Sequence, residues 1–181
     1  MTDPADRARG AGVCQSEAVP GVEEEFGELI STLEYPMLIV TAATPNERAG
    51  CLVGFSTQAS MQPLRFLVFI SKVNHTMGVA SRASLLVVHF LRDDNHDLAA
   101  LFGEETGDEV DKFSRCRWQP GPDGTPVLDG VAGWLAGPIR DRFDMGDHVG
   151  HLIDVTLARA TRIGAQLGAR EVGDLTPGHP A

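Results

Sequence analysis

Short apolar runs rich in branched side chains dominate the first half of the chain. They are bounded by turn residues, notably Thr44-Pro45-Asn46 and Gln62-Pro63, a pattern typical of buried β-strands rather than helices. Two longer extended segments follow in the second half, the last of which alternates apolar and polar positions. The sequence therefore predicts six strands, at 37–43, 50–56, 65–71, 84–90, 131–143 and 148–159.

Three other segments repeat their apolar residues at helical spacing. The first has Phe26, Leu29 and Leu33 on one face before Pro36 ends the pattern, as in an amphipathic helix. The predicted helices are 21–34, 75–82 and 95–102, with one further helical turn in DEVDKF. Strands and helices do not alternate regularly, and no GxGxxG or GxxxxGK[ST] loop is present. We therefore expect a mainly β fold, an antiparallel barrel with a few flanking helices.

Composition narrows the class of protein further. The chain has 181 residues and a formal net charge of -10, which fits one domain and disfavours nucleic acid or anionic lipid as a partner. Three scattered cysteines and no long apolar stretch predict a cytoplasmic protein without a membrane partner. We expect a flexible arm at 1–20, a single domain at 21–162 and a tail at 163–181 with little to bury.

The candidate chemistry lies between Ala49 and Arg82. Small and hydroxyl-bearing residues follow a predicted strand, and small residues let a planar ligand approach the backbone. Asn74 can cap the next helix, where free N–H groups bind anions, and Lys72 and His75 can add donors. These features fit a nucleotide site. From the residues alone, the alternative that they only turn the chain and cap a helix stays open.

The order of the motifs carries a resemblance. AG-x-x-V-x-x-S-T-x-x-S-x-x-P is followed by a branched strand, S-K-x-N-H-T, LLVVHFL, DLAALFG, DKF, Trp118, GTPVLDG and Gly146-Asp147-His148. Over about residues 22–160 the chain resembles the flavin reductase family. The resemblance implies a six-stranded antiparallel Greek-key split barrel, usually a homodimer. It also implies hydride transfer from NAD(P)H to FMN or FAD, with a flavin-dependent monooxygenase as a potential recipient of the reduced flavin.

The resemblance also implies roles for individual residues. Contacts to the flavin ring and ribityl chain fall on Cys51, Gly54, Phe55, Ser56, Thr57 and Gln58. Positions near the phosphate are Ser60, Lys72, Asn74, His75 and Thr76. Asp147 and His148 form the pocket wall, where Asp147 can orient His148 and His148 lies near the flavin and the nicotinamide. His148 is accordingly the candidate catalytic residue, and no metal site is expected.

Two departures from the family pattern leave other functions open. Leu52 stands where family members often have threonine, and the tail lacks the aromatic strand that many members carry. A flavin-dependent oxidase on the same barrel and a flavin-binding electron carrier without turnover are therefore the alternatives. A metal at His148 and His151 is disfavoured because residues three apart on a strand face opposite sides, and His89 is expected to be a packed core histidine.

Overall fold

The computed structural model describes residues 20–162 and 164–178. The chain divides into two units, 1–33 and 34–181. In the first unit the predicted helix is present as α1, Val22–Ser31, with three glutamates in its first turn, where they complement the helix dipole. None of its residues is buried, and Phe26 is 62% exposed. The predicted N-terminal arm lies outside the described residues, apart from Pro20.

The second unit is built mainly from strands. Its strands are β1 Leu38–Thr44, β2 Glu47–Val53, β3 Ser56–Met61, β4 Leu64–Ser71, β5 Leu85–Phe90, β6 Trp118–Pro120, β7 Pro126–Leu128, β8 Gly133–Asp144, β9 His148–Asp154 and β10 Leu157–Ala160. Its helices are α2 His75–Ala80 and α3 His96–Gly103. Short 3-10 turns occupy Lys112–Ser114, Pro122–Gly124 and Ala169–Val172, and the first of these confirms the helical turn predicted in DEVDKF.

One antiparallel sheet holds eight of these strands. Its order is β2-β1-β5-β8-β9-β4-β3, β10 pairs with β8, and β6 and β7 form a separate ribbon. The predicted class, mainly antiparallel β with a few flanking helices, is confirmed. The count of six strands was too low, because the small residues at 56–61 form β3, and 148–159 divides at Val155–Thr156 into β9 and β10. Closure of this sheet into a split barrel stays a prediction.

Strand β8 joins the two halves of the sheet. Its first half pairs with β5 and β10, and its second half pairs with β9 after a register shift between Ile139 and Asp141. Gly137 sits at the change of partner, where an added Cβ would lie 1.8 Å from the carbonyl oxygen of Asp154. Only glycine allows the backbones to approach this closely, so the crossing point depends on this residue.

Two apolar clusters form most of the core. One lies between the sheet strands and α2, and includes Leu38, Val68, Leu86 and Val88. The other includes Ile39, Phe102 and Leu128, and also Leu167 from the C-terminal segment. The expectation that the tail has little to bury was therefore wrong, since Leu167 is 1% exposed. The backbone N–H of Met37 donates to the Leu167 carbonyl at 2.8 Å, which fixes this segment to the chain just before β1.

His89 is a packed core histidine, as expected. Its Nδ1 donates to the Ile39 carbonyl at 2.9 Å, and its Nε2 accepts from the Leu128 backbone N–H at 3.1 Å. Burial lowers the pKa of His89 to about 4, so the ring is neutral at pH 7. Its two bonds bring the β6–β7 ribbon against the sheet. None of the helices in the described residues is both long and apolar enough to cross a membrane.

Candidate functional site

A cavity of about 320 Å³ opens where the ends of β2, β4 and α3 meet the start of β9 and the C-terminal segment. Its volume lies in the range of small-molecule sites, and its walls are mostly apolar with a few polar groups. Five of the contact residues predicted from the sequence line this cavity: Cys51, Gly54, Phe55, Asn74 and His148. These residues come from three separate parts of the chain, so the fold brings them together.

The side chains of Phe55 and His148 form one wall. Their ring centroids lie 5.3 Å apart with 54° between the planes. The Nδ1 atom of His148 lies 2.8 Å from Oδ1 of Asp147, the contact expected between these two residues. The hydrogen bond to His148 lowers the pKa of the Asp147 carboxyl, which keeps Asp147 ionised and the neighbouring imidazole oriented.

The turn between β8 and β9 is fixed to the end of β4. Gly146 adopts a positive φ of 96° in this turn, and the backbone N–H of Lys72 donates to the carbonyl of Asp147 at 2.9 Å. The Lys72 ammonium donates to Asp144 at 2.7 Å and thereby lowers the pKa of that carboxyl. Lys72 thus lies beside the cavity and stabilises the turn that carries His148.

Asn74 caps α2, as the sequence predicted. Its Oδ1 accepts from the backbone N–H of Thr76 at 2.9 Å, which leaves the amide nitrogen of Asn74 as a donor. Thr76 is buried, and its side chain bonds to the thiol of Cys51. Burial raises the pKa of Cys51 to about 11, so this thiol stays protonated and acts as a small core group rather than a nucleophile.

Other predicted contact residues lie outside this cavity. His75 lines a separate cavity of about 750 Å³, with Nδ1 2.7 Å from Asp108 and Nε2 3.3 Å from Glu47. Two carboxylates at this ring disfavour an added phosphate. The remaining predicted residues lie on β3, at the end of the sheet: Ser56, Thr57, Gln58 and Ser60.

His151 lies apart from His148. It is fully buried, pairs with Val68 of β4, and its Nε2 has no hydrogen-bond partner among the described residues. Burial lowers the pKa of His151 to about 4. The two histidines therefore do not converge on one point, and the part of the chain that the structure describes contains no group of three metal-ligating side chains.

The C-terminal segment contributes cavity-lining residues that were not predicted from the sequence. Val172, Leu175 and Pro177 line the cavity opposite β2. The backbone N–H of Thr176 donates to Glu104 at 2.9 Å, and that of Gly178 donates to the Gly103 carbonyl at 3.1 Å. This stretch has no apolar periodicity, so nothing in its sequence indicated the role. Three further lining residues, Met37, Phe69 and Phe102, lie in segments whose apolar patterns predicted only core packing.

The fold is that of a flavin reductase-like domain. Residues 30–164 match the family model described as "Flavin reductase like domain", and the chain belongs to this family. A flavin reductase domain protein from Arthrobacter sp. FB24 has the same fold, with a TM-score of 0.75 at 24% identity over 88% of this chain and 97% of that one.

Two curated relatives are similar in sequence. The reductase subunit of stachydrine N-demethylase from Rhizobium meliloti is 28% identical over 114 residues, 61% of this chain and 48% of the relative. FMN reductase (NADH) from Stutzerimonas stutzeri is 26% identical over 114 residues, 63% of this chain and 65% of the relative. The chain thus spans less than two thirds of the length of either relative.

Proposed function

We propose that the chain binds FMN or FAD in the 320 Å³ cavity and transfers hydride to it from NADH or NADPH. The observation that carries this proposal is the convergence of Cys51, Gly54, Phe55, Asn74 and His148 on one cavity, in a chain of this family. The naming of one relative as an FMN reductase that uses NADH agrees with it.

The walls of the cavity fit a flavin ring. Met37, Phe55 and Phe69 offer flat or flexible apolar surface, and the thioether of Met37 packs where Gly54 has no side chain. Ser71, Asn74 and His148 provide the polar groups, which can bond to the edge of a planar heterocycle. Lys72 and Asn74 are the residues we assign to the phosphate, because both lie at the end of β4 beside the cavity.

A bound flavin supplies the hydride acceptor, so the protein needs neither a nucleophile nor a general base. This agrees with the protonated, buried thiol of Cys51. The protein must instead hold the two rings in contact and exclude water. We assign the positioning of the nicotinamide to His148, which is held by Asp147 and packed against Phe55.

The proposal extends to the state and partners of the protein. We infer that the protein is a cytoplasmic homodimer in which residues of the second chain complete the site. The support for this inference is the resemblance of the motifs to those of the family. We also propose a flavin-dependent monooxygenase as recipient of the reduced flavin. The support is that one relative is named as the reductase subunit of a demethylase.

Anaerobic spectroscopy of the purified chain tests the proposed activity. Addition of FMN should shift and sharpen the flavin absorption bands, and addition of NADH should then bleach them. Binding without bleaching by either nicotinamide would favour the electron-carrier alternative. Product formation from a small substrate under oxygen, without NADH, would favour an oxidase.

A further inference from the structure

Lys112 is a buried residue that lines the 750 Å³ cavity and contacts Phe102, which lines the 320 Å³ cavity. Its side chain is 5% exposed, and its ammonium donates to the carbonyl oxygens of Gly50 at 3.3 Å and Phe102 at 3.1 Å. The same nitrogen lies 5.5 Å from the centroid of the Phe102 ring. Among the described residues it forms no ion pair with a carboxylate. Two carbonyl dipoles and an aromatic face therefore contact the charge directly, and the Glu105 carboxylate and Cys51 interact with it at longer range.

A buried ammonium is costly for the fold. Desolvation disfavours the charged form, and burial lowers the pKa of Lys112. A long apolar side chain such as methionine would fill the same space without that cost. The presence of a lysine here therefore indicates a use for its charge or its donors beyond packing.

The two carbonyls that accept from Lys112 belong to two segments, β2 and α3, that both reach the 320 Å³ cavity. Gly50 precedes Cys51, which lines the cavity from β2, and Phe102 lines it from α3. An added Cβ at Gly50 would lie 2.8 Å from Cε1 of Phe102, so β2 packs directly on this ring. The AG motif thus meets DLAALFG and DKF, which lie about 50 to 60 residues further along the chain, at the Lys112 ammonium.

We propose that Lys112 is a positioning residue that fixes β2 against α3 and places a positive charge near the flavin cavity. This inference rests on the flavin binding proposed above. An oxidised flavin ring is neutral, whereas the ring gains negative charge on two-electron reduction at neutral pH. A cation in a medium of low dielectric stabilises the reduced form selectively. Lys112 thus makes hydride acceptance more favourable without touching the reacting atoms.

The charge and the structural role predict different effects on binding. A residue that only holds the walls together stabilises the cavity for both redox states, so its loss weakens oxidised and reduced FMN equally. A residue whose charge matters weakens reduced FMN more. The ratio of the two dissociation constants therefore isolates the effect of the charge. A movement of the cavity walls changes both constants by the same factor and leaves their ratio unchanged.

The experiment measures the dissociation constants of oxidised FMN and of dithionite-reduced FMN by anaerobic calorimetry. In Lys112→Met, reduced FMN should lose about tenfold more affinity than oxidised FMN, equivalent to about 30 mV in a two-electron potential. Lys112→Arg keeps the charge and should restore the ratio. Lys112→Gln keeps a donor without the charge and serves as the second neutral variant if Lys112→Met fails to fold.

Arg48→Met is the matched control. Arg48 lies on the adjacent face of the same region, 4.8 Å from the Trp118 ring centroid, but its side chain is 43% exposed, so water screens its charge. In Arg48→Met, the ratio of the dissociation constants for reduced and oxidised FMN should equal that of the wild type. Equal weakening of both FMN forms in the neutral Lys112 variants would overturn the proposed role of the Lys112 charge. A wild-type chain that binds neither form would overturn this inference together with the proposed function.

Discussion

The ring centroids of Phe55 and His148 lie 5.3 Å apart, which is contact distance for two aromatic side chains. Phe55 comes from the connection between β2 and β3, and His148 begins β9, so the pair joins this connection to the start of β9. Phe55 is also 53% exposed. A large apolar ring that stays open to solvent beside a histidine is the surface we expect a nicotinamide to contact.

Replacing both members of this pair tests the assignment. His148→Ala should lower kcat and kcat/KM for NADH-dependent FMN reduction together, by about tenfold, with little change in FMN affinity, because the contact belongs to the transition state. Phe55→Leu should lower both parameters similarly and should also weaken FMN binding, because Phe55 is assigned to the flavin ring as well.

The double variant provides the control. If the two rings act as a unit, the loss in the double variant is smaller than the sum of the single losses by about 0.5–1.5 kcal/mol. Strict additivity in steady-state kinetics would show that the two rings act independently. His151 is unsuitable as a control, because it is fully buried and its replacement would disturb the core.

Leu175 in the C-terminal wall should contribute to flavin affinity. Its loss in Leu175→Ala removes part of the apolar surface of the cavity and should weaken FMN binding by about tenfold, or 1.4 kcal/mol. Fluorescence titration of FMN measures this directly. Leu157→Ala on β10, where the side chain is 48% exposed and away from the cavity, is the matched control. Equal effects of the two changes would remove Leu175 from the site.

Acid should destabilise the fold through His89. The unfolded imidazole has an ordinary pKa of 6.5, and the folded one a pKa of about 4. Between these values the unfolded chain binds the extra proton, so the free energy of unfolding decreases as pH falls through this window. We expect a loss of about 2 kcal/mol between pH 6.5 and pH 5 from this residue.

Urea denaturation at a series of pH values checks this loss. In His89→Gln, which cannot titrate, the dependence on pH should be less steep by the same amount. Part of the dependence should remain, because burial also lowers the pKa of His151 to about 4. If the free energy of unfolding of His89→Gln depended on pH as steeply as that of the wild type, His89 would have the same pKa in the folded and unfolded chain.

Gly137→Ala should be strongly destabilising. The new Cβ would lie 1.8 Å from the carbonyl oxygen of Asp154, and a backbone atom cannot move aside as a side chain can. We expect a loss of about 3 kcal/mol or more in the free energy of unfolding. Gly78→Ala in α2 is the control, because its Cβ meets nothing within 4 Å and alanine is favoured in helices. A stable Gly137→Ala protein would contradict the close crossing at β8.

Most of the sheet was predictable because its strands are buried. β1 and β5 consist of nearly continuous apolar residues, and both are buried along most of their length, so their sequences read as strands. β3 escaped prediction for the opposite reason. Its sequence STQASM has one large apolar residue, and it lies at the end of the sheet with most positions partly or fully exposed. The pairing with β4, rather than any periodicity, makes it a strand.

The candidate site was predictable only in part. The resemblance in motif order identified Phe55, Asn74 and His148, and the cavity contains them. The motifs could not show that Thr76 faces Cys51, or that His75 is held by Asp108 and Glu47. Those contacts depend on packing between distant segments, which local sequence does not encode. The wall at 172–177 was missed for the same reason.

The position of β8 between β5 and β9 has a consequence during synthesis. β5 pairs with β1 as soon as both have emerged, but its other edge meets no partner until Gly133–Pro138 is made. β4 waits longer, since Arg65 pairs with Asp154, which lies 89 residues further along the chain. A nascent chain therefore carries unpaired, apolar strand edges through much of its translation, and such edges are prone to intermolecular pairing. Because β8 and β9 are made late, these two strands are the ones that protect the edges of β5 and β4 from intermolecular pairing.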